Sequence, residues 1–292
     1  MELNTDTRNA IEKMQKKEEL EATIYDFMSK KEKNEDNKKT LKQIAEEEKE
    51  HANIWKSYSK ENIKAGILSI LFLKFLSITL GYTFVIKKLA KSEQKIQEAY
   101  KEINWNFPEM EKIIDDEYRH EKTLHDMLDE EKLHYVGDMV LGINDALVEL
   151  TGAIAGVTFA LCNTRLVAIT GIVTGISATL SMAASNYLAQ RANRDRDAVK
   201  SSLYTGITYL ITVIFLVLPY LILPDNMYIF AFVIMLLIAV LIIMCFNYYI
   251  SVVKGEKFIR NFLEMVVISL SVAAISFAVG ILLKKVLGIS TL

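Results

Sequence analysis

The sequence predicts an all-α protein in two parts, a four-helix bundle followed by five helices that cross a membrane. Three observations predict it. Apolar residues recur at helical spacing through the first 133 residues. The composition then changes abruptly: 52 of the 70 charged residues precede Gly137, and the last 156 residues hold only 18. Only 3 prolines occur in 292 residues, so little interrupts the helices. The expected domains are residues 1–135 and 136–292. The near-zero net charge averages two unlike halves and says nothing of partners, and no basic run or basic–aromatic stripe suggests nucleic acid.

Residues 5–30 read as the first helix, with Ile11, Met14, Ala22, Tyr25 and Met28 in register. A polar turn around Lys30–Asn37 leads to a second helix, about 37–59, with Leu41, Ile44, His51 and Trp55 on one face. The segment 65–86 is apolar, interrupted by Lys74, and long enough to span a bilayer. A single crossing there would put the two halves of the pattern described below on opposite sides. It is therefore expected to pack on the bundle, in a dimer interface, or on the bilayer surface. A third helix is expected over 82–103 and a fourth over 108–133. Five apolar spans follow, at about 138–162, 166–190, 202–223, 227–250 and 262–284. Arg191, Arg194, Arg196 and Lys200 separate the second and third spans, and Lys254, Lys257 and Arg260 the fourth and fifth. The positive-inside rule puts these loops, and with them the N-terminal domain, in the cytoplasm; Lys284 and Lys285 dissent mildly. The polar N-terminus agrees, having no apolar run of signal-peptide type. Gly152/Gly156 and Gly171/Gly175 are read as helix-packing positions. Cys162 and Cys245 are far apart and form no thiolate motif.

One pattern occurs twice in the first part. Glu18 stands seven residues before Tyr25, and Glu48-Lys-Glu-His51 follows; Glu93 stands seven before Tyr100, and Glu117-Tyr-Arg-His120 follows. Spacings of seven and three each keep their residues on one helix face. One Glu from each of two helices plus Glu-x-x-His from two more is the ligand set of a carboxylate-bridged di-metal site. Carboxylate oxygens with one imidazole per metal suit iron or manganese, and also accept zinc. Glu48 and Glu117 are the expected bridging ligands, His51 and His120 terminal, with Glu18 and Glu93 completing the set. The crowded acids leave Glu19, Glu21, Glu47, Glu50 and Glu98 as alternatives. Tyr25 and Tyr100 serve either the ligands or simple packing, and His125 and His134 are expected on the surface. A salt-bridged hairpin without metal is the bland reading, and the duplication counts against it.

A second constellation lies in the first span, where Asp145 and Glu149 share one face. Ionisable groups inside a membrane are costly and by default mark an ion or proton path. Asn144 offers a neutral oxygen, and Asp138 is read as interfacial. Met182 in the second span offers a soft ligand, though packing explains it equally well. Glu264, Asn247 and Tyr248 near inner helix ends are weaker candidates.

Residues 8–130 resemble the rubrerythrin and ferritin-like superfamily through the duplicated pattern. Residues 136–287 resemble the vacuolar iron transporter family, in Asp138-x-x-Leu-Gly-x-Asn-Asp145 and in Leu180-Ser-Met182-Ala-Ala-Ser-Asn-Tyr187. The fusion is similar to prokaryotic membrane-bound ferritins. The resemblance implies a homodimeric exporter of Fe(II) or Mn(II) in the plasma membrane that exchanges metal for protons. It places the matching Asp145 and Met182 in the transport path, which the first-span carboxylate Glu149 extends. The chain departs from the family in two ways. Only the short loop 190–200 stands where plant and yeast members carry a metal-binding insertion, and Asn186 replaces an acid often found there. The ferritin-like domain is expected to capture metal for the transporter or to sense it and gate transport, and the rival expectation is a membrane-tethered di-iron oxidase or peroxidase using the six soluble ligands.

Overall fold

The computed structural model describes residues 5–90, 107–127, 130–194 and 197–286, and every regular element among them is helical. The chain divides into two compact units, residues 1–129 and 130–292.

In the first unit α1 (Thr5–Ser29) and α2 (Glu35–Ser59) form an antiparallel hairpin. The turn works because the Asn34 side chain caps α2, accepting from the backbone N–H of Asp36 (2.9 Å) and Asn37 (3.2 Å). Glu35 and Asp36 in the first turn favour the positive end of the helix dipole. Cross-links set the register: Arg8 to Glu61, Gln15 to Ser59, and Lys49 to Glu19. The second helix buries Leu41, Ile44, Ala45, Glu48, His51, Ala52 and Trp55, a spacing of three and four that defines a single stripe. On α5 (Met110–Asp126) the stripe is Ile113, Glu117, His120 and Leu124. Polar residues thus occupy the middle of stripes whose ends are apolar. At one end Ile11, Met14, Trp55 and Ile113 cluster, with Phe107 edge-on to Trp55. Toward the other lie the buried Tyr25, Met28, Leu41, Ile44 and Leu124. Each fully buried apolar side chain contributes roughly 1.5–3 kcal/mol, and these layers offset the cost of enclosing acids.

The apolar segment after α2 is two helices: α3 (Ile67–Thr79), then α4, helical over residues 82–90, separated by Gly81 at φ 85°. The left-handed backbone at Gly81 makes the break. Packed against α1, α3 buries Leu73, Leu76 and Ser77, while Leu68, Leu71, Phe72, Phe75 and Ile78 remain exposed. The fourth bundle helix is shorter than expected. It ends at Asp126, and residues 130–133 belong instead to the next helix.

The second unit comprises α6 (Glu130–Leu161), α7 (Thr164–Ala192), α8 (Ala198–Ile222), α9 (Tyr228–Val253) and α10 (Phe258–Val286). All five are long and apolar enough to cross a membrane, α6 from Tyr135 onward. The central helix is α6, which touches each of the other four. Leu147, Leu150 and Ile154 from it meet Tyr209, Val213 and Leu216 of α8 and Met235 and Ile243 of α9. The glycines singled out above sit at crossings. A Cβ on Gly152 would come within 2.8 Å of Val272, one on Gly156 within 3.0 Å of the Ser276 carbonyl, and one on Gly171 within 3.0 Å of Val217. Gly175 faces Val213, and Gly280 lies against the Gly156 backbone. Such close approach allows dense van der Waals packing where lipid supplies no hydrophobic drive. Replacing Gly280 with Val forces α10 away from α6 and is expected to cost about 1–3 kcal/mol, read as a lower unfolding midpoint in detergent.

Candidate metal centre

Three helices of the first unit converge on one buried cluster. Glu18 of α1, Glu48 and His51 of α2 and Glu117 of α5 each direct a potential ligand atom to a common point, all within 4.8 Å of one another. The His120 Nδ1 lies 3.1 Å from Glu48 Oε1, and the two imidazole rings stand 5.9 Å apart. Five of the six expected soluble ligands therefore come together. Glu93, with Tyr100 and the alternative Glu98, lies outside the described residues.

The acids left open by the sequence now separate. Glu19 turns out to Lys49 at 2.7 Å, and Glu50 points outward toward Lys112. Glu21 is buried, one turn beyond Glu18, and joins the site. Glu47 lies at its rim, where its carboxylate meets His120 Nε2 at 2.5 Å. Asp116 plays the same part on the opposite helix, 3.2 Å from His51 Nε2. Each imidazole is thus oriented by an acid from the other helix, and Arg119 ties Asp116 (2.5 Å) to Glu47 (3.2 Å). Asp116 is absent from the sequence reading. The signal for it was present, because an acid immediately precedes the Glu of both Glu-x-x-His motifs. His125 is exposed, as expected.

Lys17 reaches into the cluster, its Nζ 2.9 Å from Glu21 Oε2, 3.8 Å from Glu18 Oε2 and 4.0 Å from Glu117 Oε1. Even so, both oxygens of Glu18, Oε2 of Glu48 and Nδ1 of His51 are buried without a hydrogen-bond partner. Buried polar atoms left this way are expensive. A divalent cation accepting hard oxygens and one imidazole satisfies all of them, so the residues fit a metal.

The electrostatics agree. Burial pushes the Glu18 carboxyl well above its ordinary range; Lys17 opposes this, while Glu48 and Glu117 add to it. Burial likewise raises Glu21 to about 8, partly countered by Lys17. Burial works against the charged form of Glu48, but the hydrogen bond with His120 and the nearby His51 ring hold its pKa well below the usual carboxylate range. Burial also disfavours a charged His51 ring, yet the surrounding Glu117, Glu48 and Asp116 lift its pKa to about 10.

In the membrane unit Asp145 is half-buried and Glu149 exposed, one turn apart on α6, with their charges acting on each other. Tyr209 donates a 3.0 Å hydrogen bond to Glu149. Met182 is half-buried against the apolar core, and no hydrogen bond among the described residues joins it to the two carboxyls. Asp138 is buried within the unit: its Oδ1 accepts from Asn186 and Gln190, each at 3.2 Å. The Asn186 amide also reaches Ser201 (2.9 Å) and Thr205 (2.7 Å), clamping α6, α7 and α8 together. That gives a physical reason for Asn at this position, because an acid would face Asp138 with like charge and no proton to donate. Asn144, Asn247 and Glu264 line one cavity of about 200 Å³.

Two outcomes follow from these geometries. Glu21 and His51 have folded pKa values of about 8 and about 10, above their ordinary 4.5 and 6.5. Between those limits the metal-free folded state holds protons that the unfolded chain has released, so stability falls as pH rises. Metal-free protein is expected to melt at progressively lower temperature from about pH 6 to about pH 9, and saturating Mn(II), which takes the place of those protons, to flatten the slope. Asn186→Asp is expected to destabilise the membrane unit by about 1–3 kcal/mol in detergent unfolding, through lost hydrogen bonds and repulsion with Asp138.

Comparison with known protein families agrees with both halves of this geometry. The rubrerythrin family model matches residues 9–137, and the VIT family model matches residues 136–199 and 193–281. Among curated proteins none matches the chain. With the membrane unit matched throughout its helical core and the metal cluster inside the rubrerythrin match, the chain belongs to the VIT family and carries a rubrerythrin, ferritin-like domain ahead of its membrane domain.

Proposed function

We propose that this multi-pass membrane protein exports Fe(II) or Mn(II) from the cytoplasm across the plasma membrane in exchange for protons. On this reading the ferritin-like domain, residues 1–135, captures the metal first, and residues 136–292 carry it across. The observation that carries the reading is the Asp145–Glu149 pair on α6, the helix at the centre of a VIT-family unit. Two carboxyls in an apolar span have no structural use that would repay their desolvation. A divalent cation gives them one.

The chemistry follows from the residues. Carboxylate oxygens bind either a metal ion or protons, and the two compete. Metal arriving from the cytoplasm displaces protons from Asp145 and Glu149, and protons arriving from outside displace the metal. Tyr209 holds the Glu149 carboxylate in place through its hydroxyl. Met182 is assigned to the same path as a soft ligand that favours late divalent ions over Mg(II). The cavity lined by Asn144, Asn247 and Glu264 serves as the mouth of the path. The basic residues Arg191, Arg194 and Lys200, with Lys254, Lys257 and Arg260, support a cytoplasmic mouth and N-terminal domain.

Glu149 also supports a homodimer. Its side chain is exposed at the surface of an apolar unit, and a second copy packed there removes the carboxylate from hydrocarbon. In the soluble unit, Glu18, Glu48, His51, Glu117 and His120, with Glu93, hold the captured ions. Capture raises the local metal concentration beside the membrane unit, as any tethered site does.

Sealed proteoliposomes test the reading. Fe(II) or Mn(II) supplied on the cytoplasmic face is expected to accumulate inside while the lumen loses protons, and Asp145→Ala to abolish this flux with the soluble site still loaded. Flux surviving Asp145→Ala sinks the assigned path. Absence of flux for either ion, with peroxide consumed or Fe(II) oxidised, points instead to a tethered oxidase. His51→Ala combined with His120→Ala is expected to lower flux at limiting metal and spare it at saturating metal.

A further inference from the structure

One helix of the soluble unit leaves most of its apolar surface uncovered. While α3 buries Leu73, Leu76 and Ser77 on one side, Leu68, Leu71, Phe72, Phe75 and Ile78 are each more than half exposed on the other. Their spacing of three and four residues makes them a single stripe. The one charge within the helix, Lys74, is drawn toward the bundle, its ammonium 5.1 Å from the centre of the Phe27 ring of α1. Exposure stops at Gly81, beyond which Phe84, Val85 and Ile86 of α4 are buried. A contiguous apolar patch of this kind marks a surface that something covers. The neighbouring charges indicate what. Residues 1–136 contain 28 acids, yet none falls within residues 62–92, which hold Lys64, Lys74, Lys87, Lys88 and Lys91.

We propose that α3 is an interfacial helix that seats its apolar stripe in an anionic bilayer surface, with the lysines of this segment drawn to lipid phosphates. Its 13 residues reach about 20 Å, short of the roughly 30 Å of hydrocarbon in a bilayer. Packing against α1 also holds its inner face, so it lies on the membrane and does not cross it. The chain brings the bilayer with it, because five helices of the second unit are long and apolar enough to span one. A second copy fits the surface less well. In a two-fold pair the same patch meets itself, which sets an acid-free, lysine-bearing segment against its own like charge. Anionic headgroups supply the negative charge that the segment lacks. The soluble unit is then held at the bilayer by two attachments, its own chain and α3.

The test uses the full chain, with Cys162→Ser and Cys245→Ser, in lipid nanodiscs of phosphatidylcholine and phosphatidylglycerol. A nitroxide is placed at Leu71→Cys or Phe75→Cys, and at Lys39→Cys on α2 as a reference; all three positions are exposed, so the bundle tolerates the label. Electron paramagnetic resonance then reads collisions with oxygen, which concentrates in lipid, and with a water-soluble nickel chelate. Labels at 71 and 75 are expected to meet oxygen readily and the chelate rarely, and the label at 39 the reverse. A second arm weakens the stripe with Leu68→Ser and Phe72→Ser and reads the label at 75. Replacing phosphatidylglycerol by phosphatidylcholine is expected to lower its immersed fraction relative to the free one, by about fivefold for each lysine engaged. Labels at 71 and 75 that meet the chelate as freely as the label at 39 overturn the proposal. Labels shielded from both reagents and broadened by a neighbouring nitroxide assign the face to a second copy and overturn it too. Equal immersion in the two lipids overturns the part given to the lysines. Metal flux plays no part in these readings, so failure here leaves the transport reading standing.

Discussion

The soluble unit is organised around one electrostatic constraint: Glu18, Glu21, Glu48 and Glu117 are buried together and must be compensated by positive charge. Isolated carboxylates cannot be enclosed in a helical bundle without either taking up protons or finding cations. The structure uses every means at hand. Lys17 enters the cluster from α1, His51 and His120 enter from α2 and α5, and burial drives Glu18 and Glu21 toward their protonated forms. Even then, oxygens of Glu18 and Glu48 remain without donors. The arrangement is completed by binding, and the apolar layers on either side supply the stability that an unfinished polar centre cannot.

The two Glu-x-x-His motifs support each other. Because α2 and α5 run antiparallel, the acid preceding one motif lands beside the histidine of the other, so Asp116 orients His51 and Glu47 orients His120. Orientation by an outer carboxylate selects which ring nitrogen faces the ligand position and makes the imidazole a better donor. Arg119 then keeps the two outer acids from repelling each other across the helix pair. A change to any of these outer residues is felt at both histidines.

In the membrane unit the same types of polar residue do two different jobs, and hydrogen bonding separates them. Asp138 is satisfied by Asn186 and Gln190 and acts as a fastener between helices. Asp145 and Glu149 stand one turn apart, and among the described residues Tyr209 is the one hydrogen-bond donor to the pair, which leaves oxygens available to a cation or to protons. The close crossing at Gly156 and Gly280 draws α10 against α6 and keeps the carboxyl-bearing helix at the centre of the unit.

Much of this was legible in the chain. Periodicity and composition announced an all-helical chain that ends in five apolar spans, because an amphipathic helix and a lipid-facing helix write different patterns into sequence. The spacing of Glu18, Glu48, His51, Glu117 and His120 announced a shared site, because i,i+3 and i,i+7 relations survive any tertiary packing. Local spacing could not say which of neighbouring acids turns inward. Glu18, Glu19 and Glu21 lie within one turn of helix, and only the approach of α2 and α5 buries the first and third while Lys49 draws the second outward. Nor does spacing reveal that Lys17 turns into the cluster, that Asp138 is clamped by Asn186, or that the fourth bundle helix ends at Asp126. The sequence by itself determined the helices, their membrane preference and the ligand chemistry, since these depend on residues close along the chain. Tertiary structure alone decided which charges are paired and which are left open, since that depends on what a neighbouring helix brings to within a few ångströms.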